Sequence, residues 1–169
     1  MDNFVIYNLE ERNGQLDSIN NDVISQWIKY EKEGKKIIIC TNKNLSYTMG
    51  MLQTIPQINP TIIAESGAVI YEKKAHGSEK LHVMNIENGI KEKLIELKKK
   101  LELEFQDIWF QDNNVGIMMY YNKPEMLRVF LKKESLDNFR IDYKDNSICI
   151  MPEEISYDKA IVWISKNEN

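Results

Sequence analysis

Continuous apolar runs are the strongest structural signal in the first half of the chain. They occupy residues 4–7, 36–40, 61–64 and 68–71. Short runs of this kind, rich in β-branched residues, are typical of strands that are covered on both faces of a parallel sheet. Two amphipathic stretches lie between them and predict helices, over residues 20–33 and 45–54. This alternation of strands and helices predicts an α/β fold with right-handed connections.

The pattern changes after residue 71. Residues 72–80 are polar, contain Gly77 and predict a linker or a loop tip. The block that follows predicts two amphipathic helices and two hairpins, with helices over 88–103 and 124–134 and hairpin turns at 112–114 and 144–146. An antiparallel α+β domain is therefore predicted over residues 76–150. Residues 1–75 and 151–169, which end with a short helix over 157–164, are predicted to form the other domain.

Composition and charge exclude several classes of protein. Hydrophobic residues make up 43% of the chain and charged residues 28%, which is typical of a globular protein. The net charge of −4 argues against non-specific nucleic-acid binding. No apolar run approaches the roughly 20 residues that span a bilayer, and the start of the chain does not resemble a signal peptide. We therefore expect a cytoplasmic protein that binds neither membranes nor nucleic acids.

The two cysteines, Cys40 and Cys149, both lie in apolar stretches. This position predicts buried thiols in a reducing compartment, although the sequence alone leaves a disulfide between them open. The two cysteines and two histidines do not show the spacing of a zinc site.

Four segments resemble, in order, the motifs of the haloacid dehalogenase superfamily. They are FVIYNLE (4–10), GKKIIICTNK (34–43), PTIIAESGAVIY (60–71) and ICIMPEEISYDK (148–159). They are similar to a strand ending in D-x-D-G-T, to G-hydrophobic-T-[GS]-[RK], to P-x-I-x-x-N-G-A-x-I-Y and to L-x-I-x-P-x-x-V-x-K-G-x-A. The third match is the most specific. The likeness is greatest to the mannosyl-3-phosphoglycerate, sucrose-phosphate and Cof-type phosphatases.

This resemblance implies a truncated parallel-sheet core of the Rossmann type, with an α+β cap inserted after the third strand. It also implies the family's activity, which is Mg²⁺-dependent hydrolysis of a small sugar phosphate or phosphorylated sugar acid. In that chemistry an aspartate attacks phosphorus and forms a covalent intermediate, while a second carboxylate acts as general acid and then base.

Carried over by position, the resemblance assigns a role to each of five residues. Asn8 stands at the nucleophile position and Glu10 at the acid/base position, and both are the candidate Mg²⁺ ligands. Thr41, Asn42 and Lys159 are the candidate phosphate-binding residues. An amide cannot act as the nucleophile, and the family's late acidic motif, G-D-x-x-x-D, has no counterpart. The resemblance therefore implies a degenerate protein, weakly active or inactive, that still binds a small phosphorylated sugar or another anion.

Several alternatives stay open. A second alignment of the first motif places Glu11 and Asn13 at the two acidic positions. Thr41 is also well placed to cap the next helix, and Lys159 to be a solvated surface residue. An active phosphatase remains possible if a partner chain supplies the acidic motif or if Glu10 or Glu11 serves as nucleophile. A non-catalytic interaction module is the third possibility.

The missing late strands have a consequence for the sheet. In the family, further strands flank the first strand, so the resemblance implies that residues 4–7 form an exposed edge here. Exposed apolar edge strands are sites of pairing or aggregation. We therefore expect this edge to be covered by a second copy of the chain or by another polypeptide.

Overall fold

The computed structural model describes residues 4–9, 11–12, 15–16, 19, 21–73 and 77–167. The strands are β1 (Phe4–Leu9), β2 (Glu11–Arg12), β3 (Gln15–Leu16), β4 (Lys36–Thr41), β5 (Thr61–Ala64), β6 (Val69–Lys73), β7 (Glu79–Val83), β8 (Trp109–Gln111), β9 (Ile117–Tyr120), β10 (Phe139–Lys144) and β11 (Ser147–Pro152). The helices are α1 (Asn21–Lys32), α2 (Leu45–Leu52), α3 (Asn88–Glu104), α4 (Pro124–Leu131) and α5 (Tyr157–Asn167). The mixture of strands and helices confirms the predicted α/β class.

The chain divides into two compact units, Met1–Met84 with Ser156–Asn169, and Asn85–Ile155. The sequence places the divisions earlier, after residues 75 and 150. The first division falls later because β7 pairs with β6. The second falls later because the backbone N–H of Ile155 donates to Pro152 and the Arg140 guanidinium donates to the Ile155 carbonyl.

The first unit contains a five-stranded sheet in the order β1-β4-β5-β6-β7. β1, β4 and β5 run parallel, and β6 and β7 continue the sheet antiparallel. The aliphatic run of β4 is buried on both sides, which explains why its sequence does not alternate. On one face, Ala160 and Ile164 of α5 pack against a cluster that includes Ile38 and Ile63. Trp27 of α1 is fully buried and meets the Tyr7 ring edge-on at 5.1 Å.

The prediction of a linker or loop over residues 72–80 is confirmed at Gly77 and Ser78, which lie outside regular structure, but it is wrong at the two ends of the segment. β6 extends to Lys73, and Glu79 and Lys80 begin β7. β7 has the sequence EKLHV, which contains no continuous apolar run, and its Glu79, Leu81 and Val83 are exposed. Pairing with β6, rather than a buried apolar run, makes this segment a strand.

The second unit contains an antiparallel sheet in the order β10-β11-β9-β8. The two predicted hairpins are confirmed, because β8 pairs with β9 and β10 with β11. Leu97 and Leu101 of α3 and Leu127 of α4 pack with the sheet residues Met119 and Ile150 in one buried cluster. This unit therefore has its own hydrophobic core.

β2 and β3 pair with each other in a separate, antiparallel two-stranded sheet. None of the helices formed by the described residues combines the length and apolar character needed to cross a bilayer.

Candidate functional site

The carboxyl ends of β1, β4 and β5 meet at one edge of the first sheet, which we call the carboxyl edge. Leu9 pairs with Thr41, and Cys40 pairs with Ile63, so the three strands end side by side. In open parallel sheets, the crevice outside the carboxyl ends of the strands is the usual place for ligands. The loops that leave this edge are therefore the first place to look for chemistry.

The β4–α2 loop (residues 42–44) follows Thr41 and begins with Asn42, so two of the predicted phosphate-binding positions lie at its start. Thr41 is buried, and its Oγ1 accepts a hydrogen bond of 3.2 Å from the backbone N–H of Lys43. Asn44, rather than Thr41, caps α2, because the Oδ1 of Asn44 accepts a 2.9 Å hydrogen bond from the N–H of Tyr47. Thr41 thus organises the loop through its oxygen, and a hydroxyl that accepts one bond can still donate another.

The β5–β6 turn (Glu65–Gly67) is tied directly to this loop. The backbone N–H of Glu65 donates to the carbonyl of Lys43 at 2.9 Å. Glu65 and Ser66 both adopt left-handed conformations, with φ of 50° and 56°, which are uncommon for residues other than glycine. Backbone strain of this kind persists only where surrounding structure enforces it, and it is frequent at functional sites.

Sequence reasoning missed that both residues joined by this hydrogen bond are buried charges. Glu65 is 0% exposed and Lys43 is 6% exposed. Burying a charged side chain is costly unless it is paired or hydrogen-bonded. Each charge comes one or two residues after a buried strand, and this position is the signal that could have identified them.

Gly67 brings the start of α5 against the same turn. A Cβ atom on Gly67 would lie 2.4 Å from both the carbonyl carbon and the carbonyl oxygen of Ser156, and its φ is +109°. Only glycine fits such an approach of two backbones. Within the first turn of α5, the N–H of Lys159 donates to the Oγ of Ser156 at 3.3 Å. The carboxyl edge, the β5–β6 turn and the start of α5 are therefore neighbours.

The structure places the predicted residues as follows. Asn8 is exposed and pairs with Cys40, so it lies beside Thr41 on the neighbouring strand, one step away in the register. Asn42 is half-buried in the β4–α2 loop. Lys159 is exposed on α5. Glu10 lies outside the described residues.

The position of Lys159 differs from the lysine of the family pattern P-x-x-V-x-K-G-x-A. Counted from Pro152, the pattern's lysine coincides with Tyr157 and its last alanine with Ala160. Ala160 is fully buried in the core beneath α5, and Tyr157 packs partly against the same core. Lys159 therefore stands two positions after the pattern's lysine, and the ammonium at that position is replaced by a phenol.

Two other functions can be considered at this edge, namely nucleophilic catalysis by Cys40 and binding of Mg²⁺. Burial raises the pKa of the Cys40 thiol to about 11, so the thiol stays protonated at neutral pH and is a poor nucleophile. Within the ranges that the structure describes, His, Cys, Asp and Glu do not form a group of three or more that could hold a metal ion. Mg²⁺ prefers anionic oxygen ligands. Of the two candidate Mg²⁺ ligands, Glu10 lies outside the described residues and Asn8 offers only a neutral amide oxygen.

Comparison with known proteins adds a family and a fold. The model of a family described as haloacid dehalogenase-like hydrolases matches residues 9–167. The match begins one residue after Asn8 and includes Glu10, Glu11 and Asn13. No curated protein matches the chain.

Solved structures resemble this one over nearly its whole length. A haloacid dehalogenase-like hydrolase from B. subtilis has a TM-score of 0.73 and 11% identity, with 97% of this chain and 78% of that chain covered. A Thermoplasma acidophilum protein has a TM-score of 0.66 and 15% identity, with 98% of this chain and 71% of that chain covered. The C-terminal domain of C. albicans trehalose-6-phosphate phosphatase has a TM-score of 0.60 and 11% identity, with 95% of this chain and 60% of that chain covered. Identities this low show a shared fold and nothing finer.

Proposed function

This chain belongs to the haloacid dehalogenase-like hydrolase family, and on that premise we propose a phosphatase-related protein with little or no phosphomonoesterase activity. In this proposal the carboxyl edge binds a small phosphorylated sugar or a similar anion without efficient hydrolysis. One observation carries the proposal, namely that Asn8, the next-to-last residue of β1 and one register step from Thr41, has an amide side chain. Magnesium, the cofactor that the family generally uses, is not required for this binding.

The chemistry of the side chains at the end of β1 opposes efficient hydrolysis. A covalent phosphoryl-enzyme forms when an anionic oxygen attacks phosphorus, and the oxygen of a neutral amide is too weak a nucleophile. The Cys40 thiol, which lies opposite Asn8 in the neighbouring strand, is protonated and buried. In this proposal, neither Asn8 nor Cys40 supplies a nucleophile at this part of the sheet.

Hydrogen-bond donors at the carboxyl edge support anion binding. The Thr41 hydroxyl and the backbone N–H groups of loops at this edge are of the kind that hold phosphate oxygens. The start of α5, where the helix dipole favours an anion, lies against the β5–β6 turn. Lys159, in the first turn of α5, can supply a long-range positive charge. A sugar phosphate is the ligand class because the trehalose-6-phosphate phosphatase domain with this fold is named for such a substrate.

The first experiment measures hydrolysis of p-nitrophenyl phosphate and of a panel of sugar phosphates with Mg²⁺. We expect the wild type to remain at the buffer blank. Asn8→Asp restores a carboxylate of nearly the same shape and should raise turnover by about tenfold or more, whereas the matched variant Asn8→Ala should not. Wild-type turnover that survives Asn8→Ala and disappears in Glu10→Gln would instead establish an active enzyme with a different carboxylate.

The second experiment measures binding of glucose 6-phosphate and of inorganic phosphate by calorimetry, with and without Mg²⁺. Thr41→Val removes the hydroxyl and should weaken binding by about tenfold, while Thr41→Ser retains the hydroxyl and should bind like the wild type. Lys159→Ala should weaken binding in a salt-dependent way. Equal affinity in Thr41→Val and the wild type would refute binding at the carboxyl edge.

We also propose a cytoplasmic location. The support is that Cys40 and Cys149 are both buried and form no disulfide, as expected for a protein of a reducing compartment.

A further inference from the structure

Tyr47 is an aromatic residue that stays exposed beside the carboxyl edge. It lies in the first turn of α2, directly after the β4–α2 loop, and it is 50% exposed, whereas Leu52 of the same helix is buried. Side chains on a helix tilt toward the N-terminus of that helix. The Tyr47 ring therefore leans back toward the loop that leaves the carboxyl edge, and it presents aromatic surface there.

One residue, Lys43, connects this ring to the candidate site. The backbone N–H of Lys43 donates to the Oγ1 of Thr41 at 3.2 Å, and the Lys43 ammonium lies 5.7 Å from the centroid of the Tyr47 ring. The second distance is within the range of a cation–π contact. Thr41 and Tyr47 thus contact opposite ends of the same lysine. Because Lys43 is buried, its side chain has little freedom, and the hydroxyl and the ring keep a fixed spacing.

We propose that Tyr47 recognises the sugar part of the bound phosphorylated sugar, by packing the face of its ring against the C–H face of a pyranose. This inference rests on the proposed function, because it takes the phosphate to bind at the carboxyl edge beside Thr41. It adds a residue that determines specificity and makes a ring-shaped ligand the preferred one. Inorganic phosphate, or a phosphorylated chain without a ring, does not use Tyr47.

The chemistry of the side chains around Tyr47 suits this role. The C–H groups on one face of a pyranose pack favourably against the electron-rich face of an aromatic ring. The phenol oxygen can also exchange a hydrogen bond with a sugar hydroxyl. Contact with the Lys43 ammonium restrains the ring before a ligand arrives, which lowers the ordering cost of binding. The first turn of α2 contains no acidic residue, so it does not repel an anionic ligand.

Calorimetry with three ligands separates the sugar contact from the phosphate contact. The ligands are glucose 6-phosphate, glycerol 3-phosphate, which carries the same charged group without a ring, and inorganic phosphate. Tyr47→Ala should weaken binding of glucose 6-phosphate by about fivefold and leave the other two affinities within about twofold of the wild type. Tyr47→Phe retains the ring and should keep most of the affinity for glucose 6-phosphate.

Tyr30→Ala is the matched control. The Tyr30 ring also lies near a lysine ammonium, that of Lys35, at 4.8 Å. However, Tyr30 is in the last turn of α1, and its carbonyl accepts a hydrogen bond from the N–H of Lys35, the residue just before β4 begins. Tyr30 therefore lies toward the opposite edge of the sheet, and Tyr30→Ala should leave the affinity for all three ligands unchanged.

NMR of the ligand provides a second readout. The ring protons of bound glucose 6-phosphate should shift upfield, because an aromatic ring shields groups that lie over its face, and this shift should disappear in Tyr47→Ala. A persisting shift would overturn the inference.

The outcomes distinguish this inference from the proposed function. A wild type that binds none of the three ligands would refute both. If the wild type binds all three and Thr41→Val weakens them, while Tyr47→Ala binds glucose 6-phosphate like the wild type, only the role of Tyr47 is refuted. Equal weakening of all three ligands by Tyr47→Ala would also refute it, since that result indicates a structural role.

Discussion

Replacing Gly67 by alanine should destabilise the first unit more than the same change at Gly34 or Gly50. The new Cβ would overlap the backbone of Ser156, with both atoms of its carbonyl at 2.4 Å, and backbone cannot move aside as a flexible side chain can. The φ of +109° adds backbone strain of about 1–3 kcal/mol. Overlap in a packed region adds about 1–3 kcal/mol, so the expected loss is about 4 kcal/mol. Typical domains have only about 5–15 kcal/mol of stability.

Two other glycines separate strain from overlap. Gly34 has a φ of +74°, but nothing lies within 4 Å of the position that a Cβ would take, so Gly34→Ala should cost about 1 kcal/mol. Gly50 lies in α2 with open space around it and no positive φ, so Gly50→Ala should gain about 0.5–1 kcal/mol. The ranking of the three variants is therefore fixed by the structure.

Urea denaturation followed by circular dichroism measures the three free energies of unfolding. Phosphate binding by each folded variant provides a second readout, because Gly67 holds α5 against the β5–β6 turn. A Gly67→Ala loss no larger than that of Gly34→Ala would show that Ser156 does not approach Gly67 as closely as described. It would also remove the reason for placing the start of α5 at the carboxyl edge.

Three further predictions concern single contacts. Because burial raises the Cys40 pKa from 9.0 to about 11, the unfolded chain loses this proton first, so Cys40 should make the free energy of unfolding fall as pH rises from 9 to 11, by up to about 1.4 kcal/mol per unit. Urea titrations of the wild type and Cys40→Ala, which lacks this slope, measure the effect. Asn44→Ala should cost about 1 kcal/mol in thermal melting because it removes the cap of α2, and Asn44→Asp should retain most of it. Leu101→Ala should cost about 3 kcal/mol in the second unit, whereas Leu103→Ala, on the same helix but 86% exposed, should stay within about 0.5 kcal/mol in the same assay.

The elements that could be predicted from the sequence are those whose signal is local. β5 begins and ends at the predicted residues, because the run Thr61–Ala64 is almost wholly apolar and Pro60 precedes it. The two hairpins of the second unit could also be predicted, since turn residues separate apolar segments there. Residue propensity and the period of apolar positions are enough to predict an element when the same faces of that element are buried along its whole length.

The tertiary structure alone decided where distant segments meet. β7 became a strand because β6 offers it hydrogen bonds, which no local pattern in Glu79–Val83 reports. Gly67 is required because Ser156, from the far end of the chain, approaches its backbone. The candidate site depends on such contacts between segments that are distant in sequence.

The sequence therefore determined which residue types lie at the carboxyl edge, including the amide Asn8 and the hydroxyl of Thr41. The burial of Glu65 and Lys43 and the hydrogen bond between their backbones were decided only by folding. The reason is physical: a charged side chain is ordinarily a surface residue, and only the arrangement of neighbouring loops can compensate it when it is buried.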